Sequence, residues 1–336
     1  MKEAHREAYQ KCVPWFVNIE LTLSCNLSCQ HCYNFDRNQP MPESFKKNLN
    51  PEQIFKLIED LKKAGTLMIS FTGGEALLNA NLFDYIKKAR SENLLVKIKS
   101  NGTLITPSIA KKLKDFEVYN VDISLYGSNS EEHDFLTQVS GSYKNTINGI
   151  QNLINNNIPV EINYTLHKKN FKSIENMISI AEKLNCHFNF NTELTEKYDL
   201  SRFNEELRLD QEDFIYLLKS SAKDFFIVDN SNKALQCECA RTVCAINSSG
   251  DVLPCIGAPI KSGNILEKSF EDIWKNSNQL NTIRNLQFED FQECSKCEMI
   301  EKCARSSGSA FVNTGNYKGK NPINCLEADA RIKSGL

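Results

Sequence analysis

The sequence predicts an α/β protein: a partial (β/α)6 barrel followed by a small Cys-rich domain. Two observations carry the barrel. Short apolar segments alternate with helix-periodic ones from Phe16 to about Asn191, and six such βα units fit into that stretch. Six are too few to close an eight-unit barrel, so the sheet is expected to stay open. A third observation carries the second domain. After Gln236 the composition changes, and eight of the thirteen cysteines lie there. The expected division is a lead over 1–15, the barrel over 16–192, a charged and mostly helical bridge over 193–235, and the Cys-rich domain over 236–336.

The elements follow in order. Val17, Ile19, Leu21 and Leu23 alternate with Asn18, Glu20 and Thr22, a strand period. Asn50-Pro51-Glu52-Gln53 reads as an N-cap with proline in the first helical turn. Ile54, Leu57, Ile58 and Leu61 then keep helical spacing, and Gly65 ends the element. Further strands are predicted over 67–71, 94–98, 119–125, 160–166 and 187–191, with helices over 105–116, 142–157 and 174–184. Strands alternating with helices give a parallel sheet with helices outside, and ligands belong at its carboxyl ends.

Composition narrows the class. Hydrophobic content is 41%, charged content 24% and the formal charge −2, so no electrostatic footprint for nucleic acid or an anionic membrane is present. The polar start Met1-Lys-Glu-Ala-His-Arg-Glu-Ala is no signal peptide, and no apolar run is long enough to span a bilayer. Without an export signal, thirteen cysteines read as metal ligands before disulfides. The expectation is a cytoplasmic metalloprotein with no membrane partner.

The first predicted strand runs into Leu23-Ser-Cys25-Asn-Leu-Ser-Cys29-Gln-His-Cys32-Tyr33. Three cysteines at i, i+4 and i+7 would share one helix face as core residues, but the strand period before them and the polar residues around them favour a ligand loop. A structural zinc site wants four closed ligands; three thiolates suit a four-iron cube with one iron open. After the second strand comes Thr72-Gly73-Gly74-Glu75. Paired glycines at a strand end admit close backbone approach, and their free N–H groups can bind a carboxylate or carbonyl. A glycine pair alone is more often just a turn; beside the cysteine loop it carries weight.

Together these motifs resemble the radical S-adenosylmethionine (SAM) enzymes. Cys25-x3-Cys29-x2-Cys32 matches that family's cluster motif, with Tyr33 in its aromatic place, and Gly73-Gly74-Glu75 resembles its motif for the SAM amino group. Lys99-Ser100-Asn101-Gly102-Thr103 and Asp122-Ile-Ser124-Leu-Tyr126-Gly127 look like its cofactor-side segments, so Ser100, Asn101 and Ser124 join the implied SAM contacts. Ordinary capping remains an equal reading for those polar residues. By the resemblance, a [4Fe-4S] cluster on Cys25, Cys29 and Cys32 binds SAM at its open iron. One electron then releases a 5′-deoxyadenosyl radical that abstracts hydrogen from a substrate. A flavodoxin or ferredoxin is the usual electron donor of the family.

The C-terminal cysteines resemble the SPASM domain, which makes the second domain an iron-sulfur domain with one or two auxiliary clusters. Cys294-x2-Cys297-x5-Cys303-x21-Cys325 matches the fully ligated second auxiliary site, with a four-cysteine zinc site as the alternative. Cys237, Cys244 and Cys255 match the first auxiliary site, but serine occupies the place of its remaining cysteine, in Cys303-Ala-Arg-Ser306-Ser307. Cys239 is then either the replacement ligand or a free thiol able to donate a hydrogen atom to a product radical. Cys12 and Cys186 read as buried structural thiols, and His31 and His133 as local hydrogen-bonding residues.

The leading expectation is a radical SAM enzyme acting on a ribosomally made peptide, by crosslinking or epimerisation. The short lead implies that any leader peptide is recruited by a separate protein or by the sheet edge. The alternative substrate is a small molecule, through tetrapyrrole side-chain modification or sugar epimerisation. A non-enzymatic Fe-S electron carrier would leave the glycine loop without purpose.

Overall fold

The computed structural model describes residues 2–194, 196–198, 205–227 and 237–336. Much of the predicted bridge, at 195, 199–204 and 228–235, lies outside the described residues. Six strands, β1 (Phe16–Thr22), β2 (Met68–Gly73), β3 (Leu95–Ser100), β4 (Asn120–Ser124), β5 (Val160–Thr165) and β6 (His187–Asn191), pair in chain order and all in parallel. The helices between them include Pro51–Lys63, Leu82–Ser91, Pro107–Asp115, Ser142–Asn155 and Ile174–Lys183. This is the open, partial α/β barrel expected from the repeated βα units.

The first of those helices shows how the sequence dictates the element. Asn50 accepts from the Gln53 amide while the Gln53 side chain returns to the Asn50 amide, a reciprocal cap. Ile54, Leu57, Ile58 and Leu61 are its buried residues, and Gly65 follows its end at φ 92°. Their stripe packs on Val17, Ile19, Ile69, Phe71, Val96, Ile98, Val121 and Ile123, the apolar face of the sheet.

The other face is polar, which is unusual for a parallel sheet. Register puts Asn18, Ser70, Lys97 and Asn120 side by side, and above them Lys99, Asp122 and Glu161. Alternation in the strands, with Val96 and Ile98 alternating with Lys97 and Lys99, produces the two faces directly. Asn18 Oδ1, Ser70 Oγ and Asn120 Oδ1 are buried with no hydrogen-bond partner among the described residues.

The structure departs from the sequence reading in two places. The lead contains a helix, Lys2–Lys11. More consequentially, the sheet does not end at six strands. β7 (Val243–Ile246) pairs in parallel with β1, and β8 (Val252–Leu253) pairs antiparallel with β7, giving the order β6-β5-β4-β3-β2-β1-β7-β8. The Cys-rich region thus begins inside the barrel sheet. Beyond it, helices Phe270–Asn276, Asn278–Arg284, Ser307–Thr314 and Pro322–Lys333 alternate with short turns.

Candidate active site

The strand ends, as expected, carry the candidate site. A cavity of about 460 Å³ opens there, lined by Cys25, Cys29, Cys32, Tyr33, Gly73, Gly74, Ser100, Asn101 and Ser124 among others. The sequence motifs therefore meet in one place. Its other wall comes from the C-terminal region, at Ile256, Gly257, Ser306 and Ser309.

The glycine pair brings β1 and β2 together at this rim. A Cβ on Gly73 would sit 2.1 Å from the Thr22 carbonyl oxygen, and one on Gly74 would sit 2.2 Å from that of Ser24. Gly73 also has φ 133°. The amides here are not free, contrary to expectation: Gly74 donates to Thr22 O at 2.7 Å and Glu75 donates to Ser24 O at 2.9 Å. Their work is to lock the start of the cysteine loop to β2.

Glu75, expected to touch SAM, is fully buried and does not line the cavity. Its carboxylate accepts from Leu77 N at 3.0 Å, Ser100 Oγ at 2.9 Å and Asn101 N at 2.8 Å. Burial raises its pKa against these hydrogen bonds. Glu75 thus braces the end of β3 and presents Asn101. Asn101 Nδ2 donates to Asn26 Oδ1 at 2.8 Å and lies 3.9 Å from Cys25 Sγ, while its Oδ1 accepts from Thr103.

The thiol loop is held from several sides. Ser28 N and Gln30 N donate to the carbonyls of Thr137 and Leu136 at 3.0 Å. Arg37 donates to Cys32 Sγ at 3.1 Å and to Leu23 O at 2.6 Å, and Leu27 N donates to Cys25 Sγ at 3.5 Å. Burial raises the pKa of Cys25 and lifts that of Cys29 well above its usual value, and the neighbouring sulfurs push in the same direction. Three thiolates crowded on one loop repel one another unless a cation is bound between them, so the donor set fits a metal cluster. Among the described residues no three His, Cys, Asp or Glu side chains converge on one ion. A cluster asks for less convergence, since its thiolates bind separate irons.

Tyr33 Oη donates to Glu20 Oε1 at 3.0 Å, and its ring meets Tyr198 edge-on at 5.1 Å. Burial raises the Glu20 carboxyl to about 7, opposed by the Tyr33 hydrogen bond and by Arg37. Ser124 and Tyr126 line the cavity together. His133 Nδ1 accepts from Tyr126 N at 3.0 Å, the local role expected of it, and burial lowers its pKa to about 4. His31 packs edge-on against Tyr126 at 4.3 Å, and burial lowers its pKa to about 3.

The C-terminal cysteines form two further groups. Cys303 feels the charges of Cys325, Cys294 and Cys297, after the dominant effect of burial, which lifts it to about 12. The quartet is thus brought together. In the other group, Cys237 and Cys239 influence each other in opposite directions, Cys237 being held low and Cys239 pushed up, with Cys255 also raising Cys239. Cys244 is completely buried on β7, opposite Val17 of β1, and senses Cys255. Cys239 does not line the cavity. Ser306, in the expected place of the remaining cysteine, caps the helix Ser307–Thr314 by accepting from Ser309 N at 3.2 Å.

Sequence reasoning missed several lining residues: Arg37, Lys99, Glu193 and Tyr198. Lys99 had a signal in its alternation with Ile98; Glu193 and Tyr198 follow the last barrel strand, where no motif marks them.

Among the described residues no helix is long and apolar enough to cross a membrane. The model of the radical SAM superfamily matches residues 19–181, and that of the SPASM iron-sulfur cluster-binding domain matches residues 237–298. An AdoMet-dependent heme synthase of Methanosarcina barkeri is 27% identical over 92% of this chain and 95% of its own. The mycofactocin maturase MftC of Mycobacterium tuberculosis is 24% identical over 90% of this chain and 80% of its own. The crystal structure of Streptococcus suis SuiB bound to the precursor peptide SuiA superposes with a TM-score of 0.71 at 17% identity, covering 96% of this chain and 80% of SuiB.

Proposed function

Because this chain belongs to the radical SAM superfamily and is an enzyme with a SPASM domain, we propose that it acts on a ribosomally made peptide held between the strand ends and the C-terminal region. One observation carries the reading: a single cavity is walled on one side by the cysteine triad and on the other by Gly257, Ser306 and Ser309. When bound, the cluster and SAM supply the 5′-deoxyadenosyl radical. The residues supply the rest. Cys25, Cys29 and Cys32 hold the first cluster, and Arg37 and Leu27 N offset thiolate charge. Gly73, Gly74, Ser100, Asn101 and Ser124 shape the SAM side, with Glu75 positioning Ser100 and Asn101. Cys294, Cys297, Cys303 and Cys325 hold one auxiliary cluster. Cys237, Cys239 and Cys255, with Cys244, hold the other, and the sulfur contacts of Cys239 favour a ligand over a hydrogen donor.

The peptide reading is supported by the lining itself. Thr165, Asn191, Glu193, Ser306 and Ser309 make this part of the lining polar, in keeping with a peptide backbone. A flavodoxin or ferredoxin is the proposed electron donor. A second reading, side-chain chemistry on a tetrapyrrole, is favoured by the higher identity to the heme synthase. Anaerobic reconstitution with SAM and dithionite tests the enzyme class: 5′-deoxyadenosine is expected, and Cys29→Ala is expected to abolish it. Mass spectrometry of a co-expressed candidate peptide then separates crosslinking, which loses two hydrogens, from epimerisation, which leaves the mass unchanged. A product only from a tetrapyrrole would overturn the peptide reading.

A further inference from the structure

Tyr317 belongs to none of the sequence motifs, yet its phenol reaches one of the cysteine groups. It follows the helix Ser307–Thr314, past Gly315 at φ 72°, in a turn over 316–319. Asn316 closes that turn: its carbonyl accepts from Gly319 N at 3.1 Å and its Oδ1 from Lys318 N at 3.0 Å. Arg305 clamps it by donating to Tyr317 O at 2.6 Å, to Gly319 O at 2.7 Å and to Ser307 Oγ at 2.5 Å. The same guanidinium lies 4.8 Å from the centre of the Phe291 ring. Asn316 and Lys318 are exposed, whereas Tyr317 packs against the main core. The turn thus combines a fixed backbone with one side chain directed inward.

That side chain ends at the group of Cys237, Cys239, Cys244 and Cys255. Tyr317 Oη lies 3.7 Å from Cys237 Sγ, 80 residues apart in sequence. The charges of Cys237, Cys239 and Cys255 all act on the phenol; together with burial, the largest influence, they raise its pKa, so the hydroxyl keeps its proton. A thiolate bound to metal has no proton to give. With Cys237 ionised, the pair therefore has one donor, Tyr317. The other influences on Cys237 come from its own loop, Cys239 first. A hydrogen bond to a cluster sulfur favours the more negative, reduced state and so raises the reduction potential.

We propose that Tyr317 donates a hydrogen bond to Cys237 and thereby raises the one-electron reduction potential of a cluster held by Cys237, Cys239, Cys244 and Cys255. The inference rests on reading those four cysteines as a cluster site, and goes further by naming a residue outside the cysteine motifs that tunes it. The donor comes from the stretch between Cys303 and Cys325, so the loop that the quartet closes serves the other cluster.

EPR-monitored titration with dithionite tests this on the anaerobically reconstituted full chain. Cys25, Cys29 and Cys32 are replaced by alanine in every protein, so the remaining signals come from the C-terminal cysteines. In Tyr317→Phe, iron per chain is expected to stay unchanged. One midpoint is expected to fall, lowering the reduced-to-oxidised ratio at fixed potential about tenfold, which is about 59 mV for one electron. The other midpoint is expected to stay. Midpoints equal to those of the Tyr317 parent overturn the proposal, as does a fall in both, which marks general loosening. Loss of iron in Tyr317→Phe also overturns it, by making the phenol a ligand or a prop in place of a donor. Unchanged iron in Cys237→Ala overturns instead the cluster assignment on which the proposal rests.

Discussion

The triad loop and the C-terminal quartet are both short cysteine-bearing turns, but they rest on different foundations. The triad hangs from β1, whose Val17, Ile19 and Leu21 sit in the main core, and its backbone is tied to β2 and to the carbonyls of Leu136 and Thr137. In the quartet, Cys294 and Cys297 lie between the turns Phe288–Asp290 and Ile300–Lys302, Cys303 directly follows the second, and Cys325 is on the helix Pro322–Lys333. The core around those two turns is small, with Phe291, Cys294 and Ile300 as its buried members. A loop on a sheet keeps its shape when empty. Turns that share little apolar surface need their metal as a structural member.

Removing iron is the sharpest way to break that comparison. In the apoprotein, limited proteolysis is expected to cut first between 285 and 336, with 16–191 protected, and far-UV circular dichroism should keep most of its signal. Uniform cleavage of both parts would show that the quartet has a sufficient core of its own. The opposite attack, on the sheet-held site, is Gly74→Ala. A Cβ there meets the Ser24 carbonyl oxygen at 2.2 Å and that of Leu23 at 2.6 Å, both backbone. Roughly 3–5 kcal/mol of lost stability by urea unfolding is expected, along with loss of triad iron.

Glu20 probes the ground beneath the triad. Its carboxyl titrates near 7 in the folded chain against a usual value of 4.5, so between those pH values the folded state holds more protons than the unfolded one. Stability therefore falls as pH rises through that window, by up to about 3 kcal/mol. Glu20→Gln should flatten the dependence in urea midpoints taken at pH 5 and pH 8; an unchanged slope would remove Glu20 as its source. The smallest effect is expected at Ser306→Ala. Loss of the helix cap costs about 1 kcal/mol, with iron per chain unchanged. A fall in iron would make the hydroxyl a ligand.

Much of this molecule was legible because its signals are local. Asn50, Pro51 and Gln53 announce a helix start within four residues, and the triad with the glycine pair marked the rim that the fold assembles. What stayed hidden depends on contacts far apart in sequence. Val243–Ile246 is only four residues long and lies within a Cys-rich stretch, so nothing in it says that its partner is β1. Glu75 read as a ligand contact because its motif sits at the rim, while its three hydrogen bonds come from folding that rim back on itself.

The pairing of β7 with β1 has a consequence for how the chain can be dissected. β1 sits between β2 and β7 and uses both of its sides. A fragment ending before Gln236 would leave Phe16, Val17 and Ile19 on a bare sheet margin with unpaired amides and carbonyls. Such a margin recruits other chains, so the isolated barrel is a candidate for aggregation. What looks like an appended module thus also covers the margin of the barrel sheet.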